Sequence, residues 1–163
     1  MPHAWMKIIW LLTLVVACGQ MVLWWPELPD VLATKFDFQG QARGQTPKST
    51  YYCVHIAASF IVVLPLVGSV LRYLPNGLIN IPNKKYWLSP ERRDQTLRDS
   101  ARSFGVISIL SVWMLIGLFH LIAEVATQRR AGIAPASTIF MAIYLGAIAV
   151  LCIQMLRKYR VLA

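Results

Sequence analysis

Four stretches of this chain carry no charge at all, and each is long enough to constrain the fold. Ile8–Trp25, Tyr51–Leu71, Phe104–Ala123 and Ser137–Leu156 hold 18, 21, 20 and 20 residues without one Lys, Arg, Asp or Glu. At about 1.5 Å per residue, each makes a helix that crosses ~30 Å of hydrocarbon. The sequence therefore predicts an all-α integral membrane protein with four transmembrane helices, a single membrane domain over residues 1–163. Composition agrees. The chain is 57% hydrophobic and 14% charged, against about 45–50% and about 25% in a soluble domain. A soluble domain and a disordered chain are excluded as main readings. So is a nucleic-acid binder, because the formal net charge of +9 is spread over connectors rather than gathered on one surface.

Where the cations lie predicts the topology. With four spans, the N-terminus, the connector 72–103 and the C-terminus share one side. That side carries eleven Lys and Arg, from Lys7 through Arg72 and the Lys84–Arg102 run to Arg160, and the other side carries five. Positive charge is retained in the cytoplasm, so both termini are expected inside. Val15-Val16-Ala17-Cys18 looks like a lipoprotein processing site. The apolar run continues to Trp25, however, so the expectation is a retained helix rather than a cleaved leader. Cys18, Cys53 and Cys152 have no C-x-x-C spacing and read as small core hydrophobes.

The connectors are short of obvious chemistry. In the connector of residues 26–50, Thr34-Lys35-Phe36-Asp37-Phe38 alternates and Gln39-Gly40 supplies a turn. This is consistent with a short ribbon over the helix ends, or with an irregular loop whose Phe36 and Phe38 dip into the headgroups. Lys35, Phe36 and Phe38 are its candidate interaction residues. Pro65 is expected to bend the second span. His55, Ala58, Ser59, Val62 and Ser69 share one face of it and belong against other helices. In the connector of residues 72–103, Tyr86 and Trp87 beside Lys84 and Lys85 suit an anionic surface. Ser89-Pro90-Glu91 reads as N-cap, N1 proline and acidic first turn of an interfacial helix running into the third span. Its basic face, with Arg92 and Arg93, is either solvated or a contact for lipid heads or a partner. In the fourth span, Ala142, Gly146 and Ala149 make a close-packing face.

Polar groups inside spans are costly and therefore suspect. His55 and His120 are expected at a similar depth, with Glu124 one turn from His120 on the same face and Gln20 at a comparable level. Three readings stand open: a hydrogen-bonded structural cluster, ligation of a b-type haem or a metal by the two imidazoles, and a proton relay or quinone contact. Zinc needs at least three protein ligands, and only His55, His120 and Glu124 are candidates. No nucleophile with an oriented base and no phosphate loop is present, so a non-enzyme is expected.

Two connectors also carry a resemblance. Leu28-Pro29-Asp30, Ala33-Thr34-Lys35-Phe36-Asp37, Gly40 and Gly44, with Ile79-Asn80-Ile81-Pro82-Asn83-Lys84-Lys85-Tyr86-Trp87-Leu88-Ser89-Pro90-Glu91-Arg92-Arg93, resemble the membrane family called domain of unknown function 1648 in its short, four-span members. That family commonly has His before the Phe where this chain has Lys35, so an imidazole role in that loop does not carry over, while Lys35 is placed to pair with Asp30 or Asp37. The resemblance implies an inner-membrane protein without assigned chemistry. A distant relative of that family is the immunity and signalling protein that guards a bacillus against its own killing factor. By fold analogy only, this adds immunity or sensing through the outer loop to the leading expectation. That expectation is a non-catalytic accessory subunit that binds lipid and other membrane proteins, with no cofactor.

Overall fold

A computed structural model describes residues 4–59 and 73–160, with side chains from residue 8 onward. The chain is mostly helical. Helix α1 spans Ala4–Trp24 and α2 spans Lys48–Ser59; between them lies an antiparallel ribbon of β1, Val31–Phe36, and β2, Ala42–Pro47. A 3-10 turn at Asn76–Leu78 and a four-residue helix α3, Lys84–Trp87, precede two long helices, α4 (Arg93–Ala126) and α5 (Ala136–Arg160). Among the described residues, α4 and α5 are long and apolar enough to cross a membrane, and α1 contributes a shorter apolar stretch, Ile8–Trp24. The expected windows 104–123 and 137–156 fall inside α4 and α5. The second window is described only to Ser59. Its remainder, with the expected Pro65 bend and the positions of Val62 and Ser69, lies outside the described residues, as does Lys7 with respect to its side chain.

The ribbon adds a β element that an all-α class leaves out. Pro26 cannot continue α1, and the chain turns there through Glu27 N–H and Leu28 N–H donating to the Trp24 carbonyl, both at 3.1 Å. β1 then alternates, so Leu32 is fully buried against the helices while Val31 and Lys35 face outward. Thr34 and Thr46 join hydroxyl to hydroxyl at 2.6 Å across the pair, and Lys48 N–H closes the base on the Asp30 carbonyl at 2.7 Å.

One expectation in the second half needs correction. The helix that runs into the third window does not open at Ser89-Pro90-Glu91. These residues form a turn whose Ser89 carbonyl accepts Arg92 N–H at 3.0 Å and Arg93 N–H at 2.9 Å. The Ser89 hydroxyl is directed to the Glu91 carboxylate at 3.5 Å rather than to a backbone donor, so the helix begins at Arg93 and runs unbroken into the apolar stretch. The close-packing face of Ala142, Gly146 and Ala149 is turned away from the other described helices. All three are exposed, and a Cβ added to Gly146 meets nothing within 4 Å. The better-covered seam of α5 is instead Tyr144, Ile148, Leu151, Met155 and Tyr159, spaced three and four apart. Tyr144 and Ser111 of α4 are joined at 3.0 Å, and Phe140 lies 3.7 Å from where a Gly117 Cβ would stand.

Candidate functional site

The polar and aromatic groups collect at the two ends of the helices, here called the ribbon end and the hook end. At the ribbon end an apolar cluster of Met21, Trp24, Leu28, Leu32, Tyr52, Phe119 and Ala123 draws on α1, β1, α2 and α4. Phe119 is its centre: fully buried, stacked on Tyr51 at 5.4 Å, edge-on to Tyr52 at 5.6 Å, and 4.7 Å from the His55 ring. Tyr52 enters this cluster without leaving its hydroxyl unpaired, because it donates to the Met21 carbonyl at 2.9 Å.

His55 and His120 have different surroundings. Neighbouring residues on a helix point about 100° apart, so Phe119 and His120 of α4 face different groups. His55 is buried on Phe119 and Tyr51, with Ser59 donating its hydroxyl to the His55 carbonyl at 2.8 Å. His120 is half-exposed, lies edge-on to Trp24 at 5.6 Å, and has Nε2 3.6 Å from Glu124 Oε1. Glu124 also accepts from Arg130 Nε at 3.0 Å. Gln20 donates to the Ile116 carbonyl at 3.2 Å. The two imidazoles thus take separate partners: His55 lies against Phe119, and His120 lies against Trp24 and Glu124. Among the described residues, no group of three His, Cys, Asp or Glu is placed to hold a metal ion.

Outside the cluster, ion pairs fasten the loops. Arg129 pairs with Glu27 and lies 5.0 Å over the Trp24 ring. Lys48 Nζ donates to the Leu28 carbonyl at 2.9 Å and lies 4.7 Å over Trp25. Lys35 makes neither expected pair: Asp37 goes to Arg43 at 2.9 Å, and Asp30 lies 3.9 Å from Lys48. The Lys35 stem instead covers Gly44, where a Cβ would stand 2.9 Å from its Cδ.

The ribbon turn is tightly built. Asp37 Oδ1 accepts Gln41 N–H at 2.8 Å and Gln39 N–H at 3.0 Å. The Gln41 N–H, supported by the Arg43 guanidinium, holds the Asp37 carboxyl below its usual range. Gly40 has φ +79°, and a Cβ there would stand 2.6 Å from Ala134 N. A Cβ on Gly132 would stand equally close to the Gly40 oxygen, and Ile133 N–H donates to that oxygen at 3.1 Å. The turn is thus pinned to the α4–α5 loop, with Phe36 half-buried and Phe38 fully exposed at its tip.

At the hook end, the Ile79–Arg93 segment folds back on α5. Asn83, with φ 52°, donates its side-chain amide to the Tyr159 and Arg160 carbonyls, each at 3.2 Å. Trp87 Nε1 donates to the same Tyr159 carbonyl at 3.0 Å, and the two rings meet edge-on at 5.5 Å. These bonds satisfy carbonyls that a helix end leaves open. Tyr159 is buried and shares a 2.8 Å hydroxyl bond with Ser100. Arg93 donates to Asn76 Oδ1 at 2.9 Å and to the Leu74 carbonyl at 2.7 Å. Of the four expected contact residues here, Trp87 and Arg93 therefore work inside the chain, while Tyr86 and Arg92 are exposed and stack on each other at 4.0 Å. Asn83 and Tyr159 are site residues that sequence reasoning misses. The signals available are Pro82-Asn83, a turn pair, and a tyrosine within a basic helix end.

No family model matches the chain, and no curated protein or solved structure matches it either. Fold and site together define a class only: a mostly helical chain, two of its described helices apolar enough to span a membrane, clamped at one end by a ribbon and at the other by a hook.

Proposed function

We propose that this chain is a non-catalytic, multi-span protein of a bacterial inner membrane, with four spans, both termini in the cytoplasm, and the work of an accessory subunit. The observation that carries the reading is the bareness of α5. Its membrane-length apolar stretch has no residue buried within the chain. Ile143 is 66% exposed, and on α1 Leu23 is 75% exposed. In water such surface costs about 25 cal/mol per Å²; in a bilayer it is solvated by lipid or covered by other helices. The Ala142–Gly146–Ala149 stripe on the bare side of α5 suits close helix approach. No ligand chemistry is part of this reading.

The test is assembly in mild detergent. The expected result is a native mass well above the 18.4 kDa of the chain, with other membrane polypeptides in it. A monomer alone overturns the accessory role, and extraction by carbonate overturns the membrane reading. A second reading, immunity or sensing through the connector of residues 26–50, is favoured by one feature: a rigid turn that presents a fully exposed Phe38. Under that reading, Phe38→Ser removes protection or signalling and leaves membrane insertion intact.

A further inference from the structure

We infer that the hook end is a binding surface for the phosphates of anionic phospholipid headgroups in the adjoining leaflet, an inference that rests on the membrane reading above. Residues 73–160 carry nine Lys and Arg before the α4 apolar stretch and after the α5 one, against three Asp and Glu in the same segments. Folding gathers them. The Asn83 bonds to the Tyr159 and Arg160 carbonyls bring Lys84 and Lys85 beside the last turn of α5, which holds Arg157, Lys158 and Arg160. Arg92, stacked on Tyr86, joins the same surface.

The hook also removes part of what would repel an anion there. A helix C-terminus presents open carbonyls and the negative end of the dipole, which repel phosphate. Here Asn83 and Trp87 engage the carbonyls of Tyr159 and Arg160. Asp99 is occupied by Lys158 at 2.6 Å, and Glu91 lies by the Ser89 hydroxyl. Asp94 stays in the first turn of α4, where it complements the positive dipole end. Lys85, Arg92, Arg157 and Arg160 make no ion pair among the described residues. An open depression of about 500 Å³ lies over Asn83, Lys84, Lys85 and Tyr86.

The surroundings favour a lipid surface over an acidic soluble partner. Leu78 is 71% exposed and Tyr73 is 75% exposed in the same connector, and the apolar Leu156 of α5 lies immediately before Arg157. Apolar side chains next to unpaired cations, at the point where a span leaves the hydrocarbon, match the boundary between acyl chains and headgroups.

The full chain is purified in detergent, supplied with equal phosphatidylglycerol and phosphatidylcholine, and the lipids retained are read by native mass spectrometry. Wild type is expected to retain phosphatidylglycerol preferentially. The variant K85Q/R157Q/R160Q, whose altered side chains make no hydrogen bond in the hook, is expected to lose about fivefold in that preference per charge removed. Arg43→Gln at the ribbon end is expected to leave it unchanged. Equal retention of both lipids by wild type, or an unaltered preference in the triple variant, overturns the inference. So does loss of the preference in Arg43→Gln, which points to net charge rather than this surface. Carbonate treatment of the starting membranes separates the two claims: a chain that stays in the pellet without lipid preference refutes this inference alone.

Discussion

The ribbon end and the hook end solve the same problem, closing a set of helix ends, by opposite means. The ribbon end is closed by volume. Leu32 and Phe119 are fully buried, and Tyr52, Trp24 and Met21 fill the space around them. The hook end has a smaller apolar centre, Ile79, Leu88 and Leu97. It is closed chiefly by donors aimed at carbonyls: Asn83 and Trp87 at Tyr159, Arg93 at Leu74, Thr96 at Trp87. A volume contact accepts any side chain of the right shape. A donor contact demands a particular atom at a particular place. The two ends are therefore expected to fail under different substitutions.

The largest effect belongs to the volume end. Phe119→Ala removes the ring on which Tyr51, Tyr52 and His55 all rest. The loss is about 3–5 kcal/mol, from lost packing and the cavity left behind, measured as unfolding free energy in detergent. The ribbon amides are expected to lose hydrogen-exchange protection while the hook amides keep theirs. Equal loss at both ends shows that the molecule opens as one unit, and the comparison breaks.

The same contrast explains what is legible in the sequence. The apolar windows in α4 and α5 follow from runs of uncharged residues, which need no partner to be recognised. The ribbon is one of two open readings, because Thr34 to Phe38 alternates but β2, Ala42–Pro47, contains Arg, Gly, Gln and Pro and has no strand signal of its own. Its strand state comes from pairing with β1. The hook is visible as an unusual run of residues, yet its role is not. Trp87 and Arg93 look like surface groups because their acceptors, the Tyr159 and Leu74 carbonyls, are backbone atoms that any residue supplies. The Ala142–Gly146 face reads as a close-packing surface, although a stripe of small residues does not say which helix covers it. Spacing does put His55 and His120 at one end. Their different partners, Phe119 for His55 and Trp24 with Glu124 for His120, depend on the rotation of α4, which spacing alone does not give.

At the donor end the expected effect is smaller and more selective. Trp87→Phe keeps most of the ring that packs edge-on to Tyr159 and removes only the Nε1–H bond. A neutral hydrogen bond of this kind contributes about 1 kcal/mol net, and the Tyr159 carbonyl keeps its bond from Asn83. The amides of residues 83–88 are expected to exchange faster, with the ribbon unaffected. If Trp87→Phe is silent and Trp87→Ala costs several kcal/mol, the hook is a volume contact too, and the distinction between the ends disappears.

The smallest effect is the one that pH can isolate. Asp37 stabilises the ribbon turn as a carboxylate, accepting Gln41 N–H and Gln39 N–H and pairing with Arg43. Because its folded pKa lies below the ordinary value of 3.8, the contribution is fully present above that value. It is lost as pH falls through the lowered one. At neutral pH the turn is at its firmest, and acid loosens it. The hook donors Asn83 and Trp87 carry no proton that titrates in this range, so the backbone signals of residues 83–88 are expected to stay constant while those of Gln39 and Gln41 move. Asp37→Asn tests the cause. Its amide oxygen still accepts the two backbone N–H groups but carries no charge for Arg43, so the turn persists at neutral pH and its acid response vanishes. An acid response that survives in Asp37→Asn assigns the transition to another group, and Asp37 then does not set the ribbon end apart from the hook.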